Sequence, residues 1–284
     1  MRSKIGAILL TLVVGVVLGT GQMVQPAHAG TIILEGSDAI GFHSTIGDPG
    51  AITYRDQVWT AIGATDLRPI AVFGSGTFGP VGSGTHPIVQ FNLGPGSVPA
   101  AGPLSGYVAL YFLAGGGCCT EDDSLIVGNE AAVGAYLAAG GTVMIENYTG
   151  GAAWDFTVGA GGAGFFNVAG FGGARPGPGC TDGETVTAEG LANGFTQPPV
   201  LGCWTHQAYD QSFFGPLGFT HNFFDADPAF AASNPGTGPY SSLLSTGVTA
   251  TVSGQVPEPG TLFLLGTGLV GVAAGAITRR RRQN

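Results

Sequence analysis

The residues of this chain best suited to chemistry are four cysteines, several acidic clusters, one strand-end glutamate and one late histidine. Cys118 and Cys119 follow the glycine run Gly115–Gly117, while Cys180 and Cys203 bracket a Pro/Gly-rich stretch of 22 residues. An even count in an oxidising compartment points to two disulfides. Three pairings are open: Cys118 and Cys119 each take one of Cys180 and Cys203, in either of two ways, or they bridge each other beside a Cys180–Cys203 bond. Adjacent cysteines lack the C-x2-4-C spacing of a zinc site. Glu121, Asp122 and Asp123, with Asp182-x-Glu184 and Asp225-x-Asp227, offer oxygen ligands for Ca²⁺. No EF-hand loop or Gly-Asp nonapeptide accompanies them, so hydrated acidic loops are expected and no cofactor. Glu146 and His206, the latter close to Trp204 and Tyr209, are the candidates for acid–base work. His43, His86 and His221 show no paired ligand spacing.

Strands and helices alternate around these residues. Thr31–Leu34 is a short β-rich run followed by Gly36-Ser37-Asp38. Ile52–Ile62 carries apolar residues at Ile52, Val58, Trp59 and Ile62, one face of a helix. Pro69–Phe73 predicts a buried strand, Ile88–Phe91 another, and Tyr107–Leu113 the strongest of all. Asn129 can cap a helix reaching Ala139, with Val133, Tyr136 and Leu137 on one face and Gly140-Gly141 as the stop. Thr142–Glu146 returns as a strand, which completes a βαβ crossover and implies parallel pairing. The late aromatics Phe195, Trp204, Tyr209, Phe213, Phe214, Phe219, Phe223, Phe224 and Phe230 read as core of the final third rather than as an exposed sugar platform.

The order Tyr107–Gly117, Asn129–Gly141, Thr142–Gly151 resembles the core of the class I glutamine amidotransferase-like fold, including its trehalose-utilisation-like branch. Trp204-Thr205-His206-Gln207-Ala208-Tyr209 fits the place of that fold's late histidine. The resemblance spans roughly Thr31 to Tyr209. It implies a single α/β domain of three layers with a mostly parallel, flavodoxin-like sheet and long Gly/Pro-rich loops. It also implies a cysteine on a tight elbow after a strand. The matching stretch is Glu146-Asn147-Tyr148-Thr149-Gly150, which has neither Cys nor Ser at its apex. Without a nucleophile beside a base, amidase or protease chemistry is not expected.

The two ends read as processing segments. Arg2 and Lys4 precede the apolar run Ile5–Leu18, and Ala27-His28-Ala29 supplies small residues before Gly30, the layout of a signal peptide over 1–29. At the other end, Val256-Pro257-Glu258-Pro259-Gly260 is followed by the apolar stretch 261–277 and by Arg279, Arg280, Arg281 and Arg282. Seventeen helical residues at ~1.5 Å each cover about 26 Å, close to the minimum for a membrane span. The arginines should stay cytoplasmic, which places the domain on the far side. This three-part segment, 254–284, resembles the PEP-CTERM sorting signal. The resemblance implies a Gram-negative host and an exosortase that cuts near Pro257–Pro259. It also implies a place among proteins that travel with exopolysaccharide and biofilm systems.

Between the ends, residues 30–253 form the expected exported domain, with a flexible stretch from about Asn234. From Gly30 to Val256 the chain has three arginines, no lysine and 17 acidic residues, a formal charge of −14 (3 − 17). Such a surface repels phosphate backbones and excludes nucleic-acid partners. The expected partners are the secretion machinery, signal peptidase, the exosortase, the inner membrane before processing, and exopolysaccharide. The expected function is a non-enzymatic surface or matrix protein. Its rivals are an extracellular carbohydrate-active hydrolase using Glu146 and His206, and a glycan- or Ca²⁺-binding module.

Overall fold

The computed structural model describes residues 30–63, 66–76, 78–92, 96–113, 129–146, 174–176, 184–196, 204–226 and 239–247. Five strands form the parallel part of one sheet: β1 (Thr31–Glu35), β2 (Ile70–Phe73), β3 (Ile88–Phe91), β4 (Ala109–Phe112) and β5 (Thr142–Glu146). They lie in the order β3-β2-β4-β5-β1, and each neighbouring pair is parallel. β2, β4 and β5 are buried along their whole length. Strands covered on both faces carry continuous apolar runs, which is why Ile70-Ala71-Val72-Phe73 and Ala109-Leu110-Tyr111-Phe112 do not alternate.

Helices cover both faces and make the three layers. One face packs Ile32, Leu34, Leu110, Val143 and Ile145 against Val133 and Leu137 of the helix Glu130–Ala138. The other packs Ile33, Val72, Tyr111 and Met144 against Tyr54, Val58, Trp59 and Ile62 of the helix Pro49–Gly63. The expected α/β class with a largely parallel sheet is therefore what the chain adopts.

Some boundaries differ from the sequence reading. β4 is shorter than Tyr107–Leu113, because the 3₁₀ turn Leu104–Gly106 holds Tyr107 N–H on the Leu104 carbonyl (3.0 Å). Asn129 does sit at the N-cap of its helix, without a side-chain capping bond.

The second half of the chain extends the sheet in the opposite sense, which the alternating pattern of the first half did not foretell. β10 (Tyr240–Ser245) pairs antiparallel with β1, β8 (Gln207–Asp210) and β9 (His221–Ala226). β6 (Ala174–Pro176) joins β8, and β7 (Glu184–Val186) joins β9. Of the late aromatics, Phe195, Trp204, Tyr209, Phe214, Phe219, Phe223 and Phe224 are buried; Phe230 lies outside the described residues.

β10 runs back along β1, so both ends of the domain emerge at the amino edge of the parallel strands. Gly30 precedes β1. After β10, Thr246 N–H donates to the Ile32 carbonyl (3.0 Å), and Ile32 N–H donates to Thr246 Oγ1 (2.9 Å). The carboxyl edge of the same strands faces the other way.

Candidate functional site at the carboxyl edge of the sheet

In open α/β sheets ligands are met beyond the carboxyl ends of the strands, and here that edge gathers the titratable groups. β1 and β5 are in register, Glu35 beside Glu146, as the last residues of their strands. Both side chains are fully buried on the face covered by the helix Pro49–Gly63. Tyr54 of that helix donates to both Glu35 oxygens (2.9 and 2.8 Å), and Ser37 Oγ donates to Glu35 Oε1. Tyr111 of β4 donates to Glu146 Oε2 (2.8 Å). A third buried glutamate, Glu184 of β7, accepts from Ser242 Oγ of β10 (2.8 Å).

Burial dominates the electrostatics of this interior. It pushes the Glu35 carboxyl up to about 7 against the donated bonds of Ser37 and Tyr54. It pushes Glu184 up to about 8, with the Glu35 charge adding to the rise. The Tyr54 hydroxyl is raised well above its ordinary value by burial and by the neighbouring Glu35. Burial thus disfavours the charged form of both carboxyls.

Nearer the solvent, the turn after β1 carries the cluster with the most chemistry. Asp38, 1% exposed, lies between two imidazoles: its Oδ1 is 3.4 Å from His43 Nε2 and its Oδ2 is 3.2 Å from His206 Nε2. Both rings are partly exposed. His43 ends the single helical turn Ala39–His43. His206 arrives on the segment Trp204–Gln207, which leads into β8 and is stitched to the turn after β1. Asp38 N–H donates to the Trp204 carbonyl (2.8 Å), while His206 and Gln207 N–H both donate to the Gly36 carbonyl (2.8 and 3.0 Å). A Cβ at position 36 would fall 2.0 Å from the Gln207 carbonyl oxygen, so this close approach requires glycine. Burial lowers the His43 pKa below 6.5 against the opposing pull of Asp38 and Asp48, with the His206 charge adding to the drop.

A row of rings leads from this cluster to solvent. His43 stacks on Trp204 with centroids 5.0 Å apart, Phe42 meets His43 edge-on at 4.9 Å, and Phe78 meets Phe42 at 5.6 Å. Phe78 is 63% exposed. The loop that carries it docks through Gly76, where a Cβ would fall 2.2 Å from Thr45 Cγ2 and 2.5 Å from the Gly41 carbonyl oxygen.

The structure thus places Glu146 against Tyr111 and His206 against Asp38. Sequence reading did not single out Glu35, Asp38, His43, Tyr54 or Phe78. The available signal was an acid ending an apolar strand, followed three residues later by a second acid, and an aromatic inside a glycine-rich loop. Of the Ca²⁺ candidates, Glu184 is buried against Ser242, and Asp225 Oδ1 accepts from Gln211 Nε2 (3.1 Å) and from Asn222 Nδ2. Glu121, Asp122, Asp123, Asp182, Asp227 and all four cysteines lie outside the described residues. Among the described residues no group of three or more His, Cys, Asp or Glu is placed to hold a metal ion. Nor is any described helix long and apolar enough to cross a membrane; 1–29 and 248–284 lie outside the described residues.

Comparison with known proteins adds one finding. Residues 255–282 match the PEP-CTERM protein-sorting motif. No curated protein and no solved structure matches the chain, so the likeness to the amidotransferase-like fold gains no support.

Proposed function

Taking the sorting motif at residues 255–282 as the premise, we propose that this chain is an exported protein of the cell surface or extracellular matrix. Its single α/β domain, residues 30–253, serves as a non-enzymatic binding component of the exopolysaccharide layer. The match to the motif is the observation that carries the reading, because it implies export and processing by a membrane exosortase. In this reading signal peptidase removes 1–29. The apolar stretch 261–277 then holds the domain at the inner membrane, with Arg279–Arg282 on the cytoplasmic side. Cleavage near Pro257–Pro259 releases it. Two disulfides among Cys118, Cys119, Cys180 and Cys203 brace the domain in an oxidising compartment. The formal charge of −14 (3 − 17) over residues 30–256 keeps it soluble and away from nucleic acids.

Replacing Pro257-Glu258-Pro259 by three alanines tests the route. Cell fractionation with mass spectrometry of the mature ends should find the parent outside the inner membrane, with its ends near Gly30 and Pro257–Pro259. The variant should stay at the inner membrane with its tail intact. An intact parent chain in the cytosol, uncut at both ends, overturns the reading.

A carbohydrate-active hydrolase is the second reading, favoured by the contact of Asp38 with His43 and His206. It requires that extracted exopolysaccharide gain reducing ends on incubation with the domain and that Asp38→Asn abolish the gain.

A further inference from the structure

We propose that the aromatic row Phe78–Phe42–His43, backed by Asp38, binds a cationic sugar: a hexosamine unit whose amine is free rather than acetylated. The proposal rests on the reading of the domain as a polysaccharide-binding surface protein, and it names the residues and the class of sugar.

Three observations carry it. The first is shape and exposure. A phenylalanine 63% open to solvent, edge-on to a second ring that meets an imidazole, is a surface on which the apolar face of a pyranose can lie. Gly76 and the Gly76–Gly79 bridge hold the loop against the Ala39–His43 turn, so the ring is positioned before any ligand arrives.

The second is polarity. Asp38 faces His43 Nε2 and favours a proton there, which leaves Nδ1 as a lone-pair acceptor. His43 Nδ1 has no hydrogen-bond partner among the described residues. The Asp38 Oδ1 atom is buried, and its 3.4 Å approach to His43 Nε2 is an ion-pair contact without hydrogen-bond geometry. The site therefore offers acceptors and asks for donors. Burial lowers the His43 pKa and so favours the neutral ring.

The third is sign. Asp38 and Asp48 both act on His43. The nearest described arginine in sequence, Arg55, is committed to Asp56 at 2.7 Å. Among sugars with hydroxyl donors, one that also carries an ammonium group matches this field best, and an acidic sugar matches it worst.

The test uses the exported protein purified from the cell surface and isothermal titration at about pH 6. Three probes are titrated: glucosamine oligomers, N-acetylglucosamine oligomers of equal length, and a neutral glucan oligomer. Glucosamine oligomers should bind at least ten-fold more tightly than either neutral probe, and added salt should narrow the gap. Phe78→Ala and Asp38→Asn should each weaken glucosamine binding about ten-fold or more. Leu67→Ser, at an exposed residue preceding β2 at the opposite edge, should leave binding unchanged. Phe78 is on the surface, so its variant folds, and near-unchanged melting confirms this for Asp38→Asn. Equal binding of acetylated and free oligomers overturns the charge preference while leaving the polysaccharide reading intact. Binding that survives both substitutions overturns the site. Absence of binding to all three probes overturns the proposal, and pull-down on extracted exopolysaccharide then tests the polysaccharide reading separately.

Discussion

Glu184 and Glu35 keep their protons to about pH 8 and 7 in the folded chain, against an ordinary value of 4.5. The unfolded chain gives up those protons first as pH rises. The contribution of these two groups to stability is therefore fully present below about pH 4.5, falls between there and about pH 8, and is lost above it. Glutamine at position 184 still accepts from Ser242 but has no proton to lose. Glu184→Gln should leave melting near pH 4.5 almost unchanged and raise it at pH 8, by an amount on the order of a few kcal/mol at most. Thermal melts across that range read the effect, and a variant that loses stability at both ends of it would contradict the assignment. Tyr54 supplies two of the bonds that hold Glu35. Tyr54→Phe strands a buried carboxyl short of a donor and should cost about 1–3 kcal/mol in urea titration. His43 should titrate below 6.5 in an NMR pH series, for the burial that outweighs its acidic neighbours.

At the scale of elements, the junction of β1 with the Trp204–Gln207 segment fixes the site. Gly36→Ala forces a methyl against the Gln207 carbonyl and should cost about 1–3 kcal/mol, with a matching loss of sugar binding as Asp38 and His206 move apart. A core change such as Leu110→Ala in β4 should cost more, about 2–5 kcal/mol, and spare the affinity of whatever fraction remains folded. The contrast between these two variants separates a positioning contact from general packing. The same junction shows what could be read in advance. β2, β3 and β5 follow from apolar runs closed by turn residues. The helix Glu130–Ala138 follows from its spacing between Asn129 and Gly140-Gly141. These elements are local, so local pattern specifies them. Glu35, Asp38 and His206 come together only because β10 runs antiparallel to β1 and brings the chain's later strands beside it. Residues some 170 positions apart leave no periodicity to detect. Tyr54 was hidden for a different reason: its hydroxyl reads as the polar side of a helix, yet the whole residue is buried because a glutamate receives it.

For the molecule as a whole, the placement of the two ends at one edge sets an orientation. Gly247 closes on Thr31 at the amino end of β1, where its Cβ would lie 2.9 Å from Thr31 Oγ1. Nine residues separate Gly247 from Pro257, a contour of at most ~36 Å even fully extended. On the proposed reading, in which the uncut tail sits in the membrane, this short tether favours an orientation with the amino edge and Leu67 toward the bilayer and Phe78 away from it. In reconstituted vesicles of the three-alanine variant, quenchers attached to lipid headgroups should dim a fluorophore at position 67 more strongly than one at position 78. Equal quenching at both positions would contradict this orientation. The consequence concerns timing: on the proposed reading the cutting enzyme would work beside the amino edge, and the polymer would be met at the carboxyl edge. If both proposals hold, neither would block the other, and the protein would catch its cargo while still moored and carry it away when the mooring is severed.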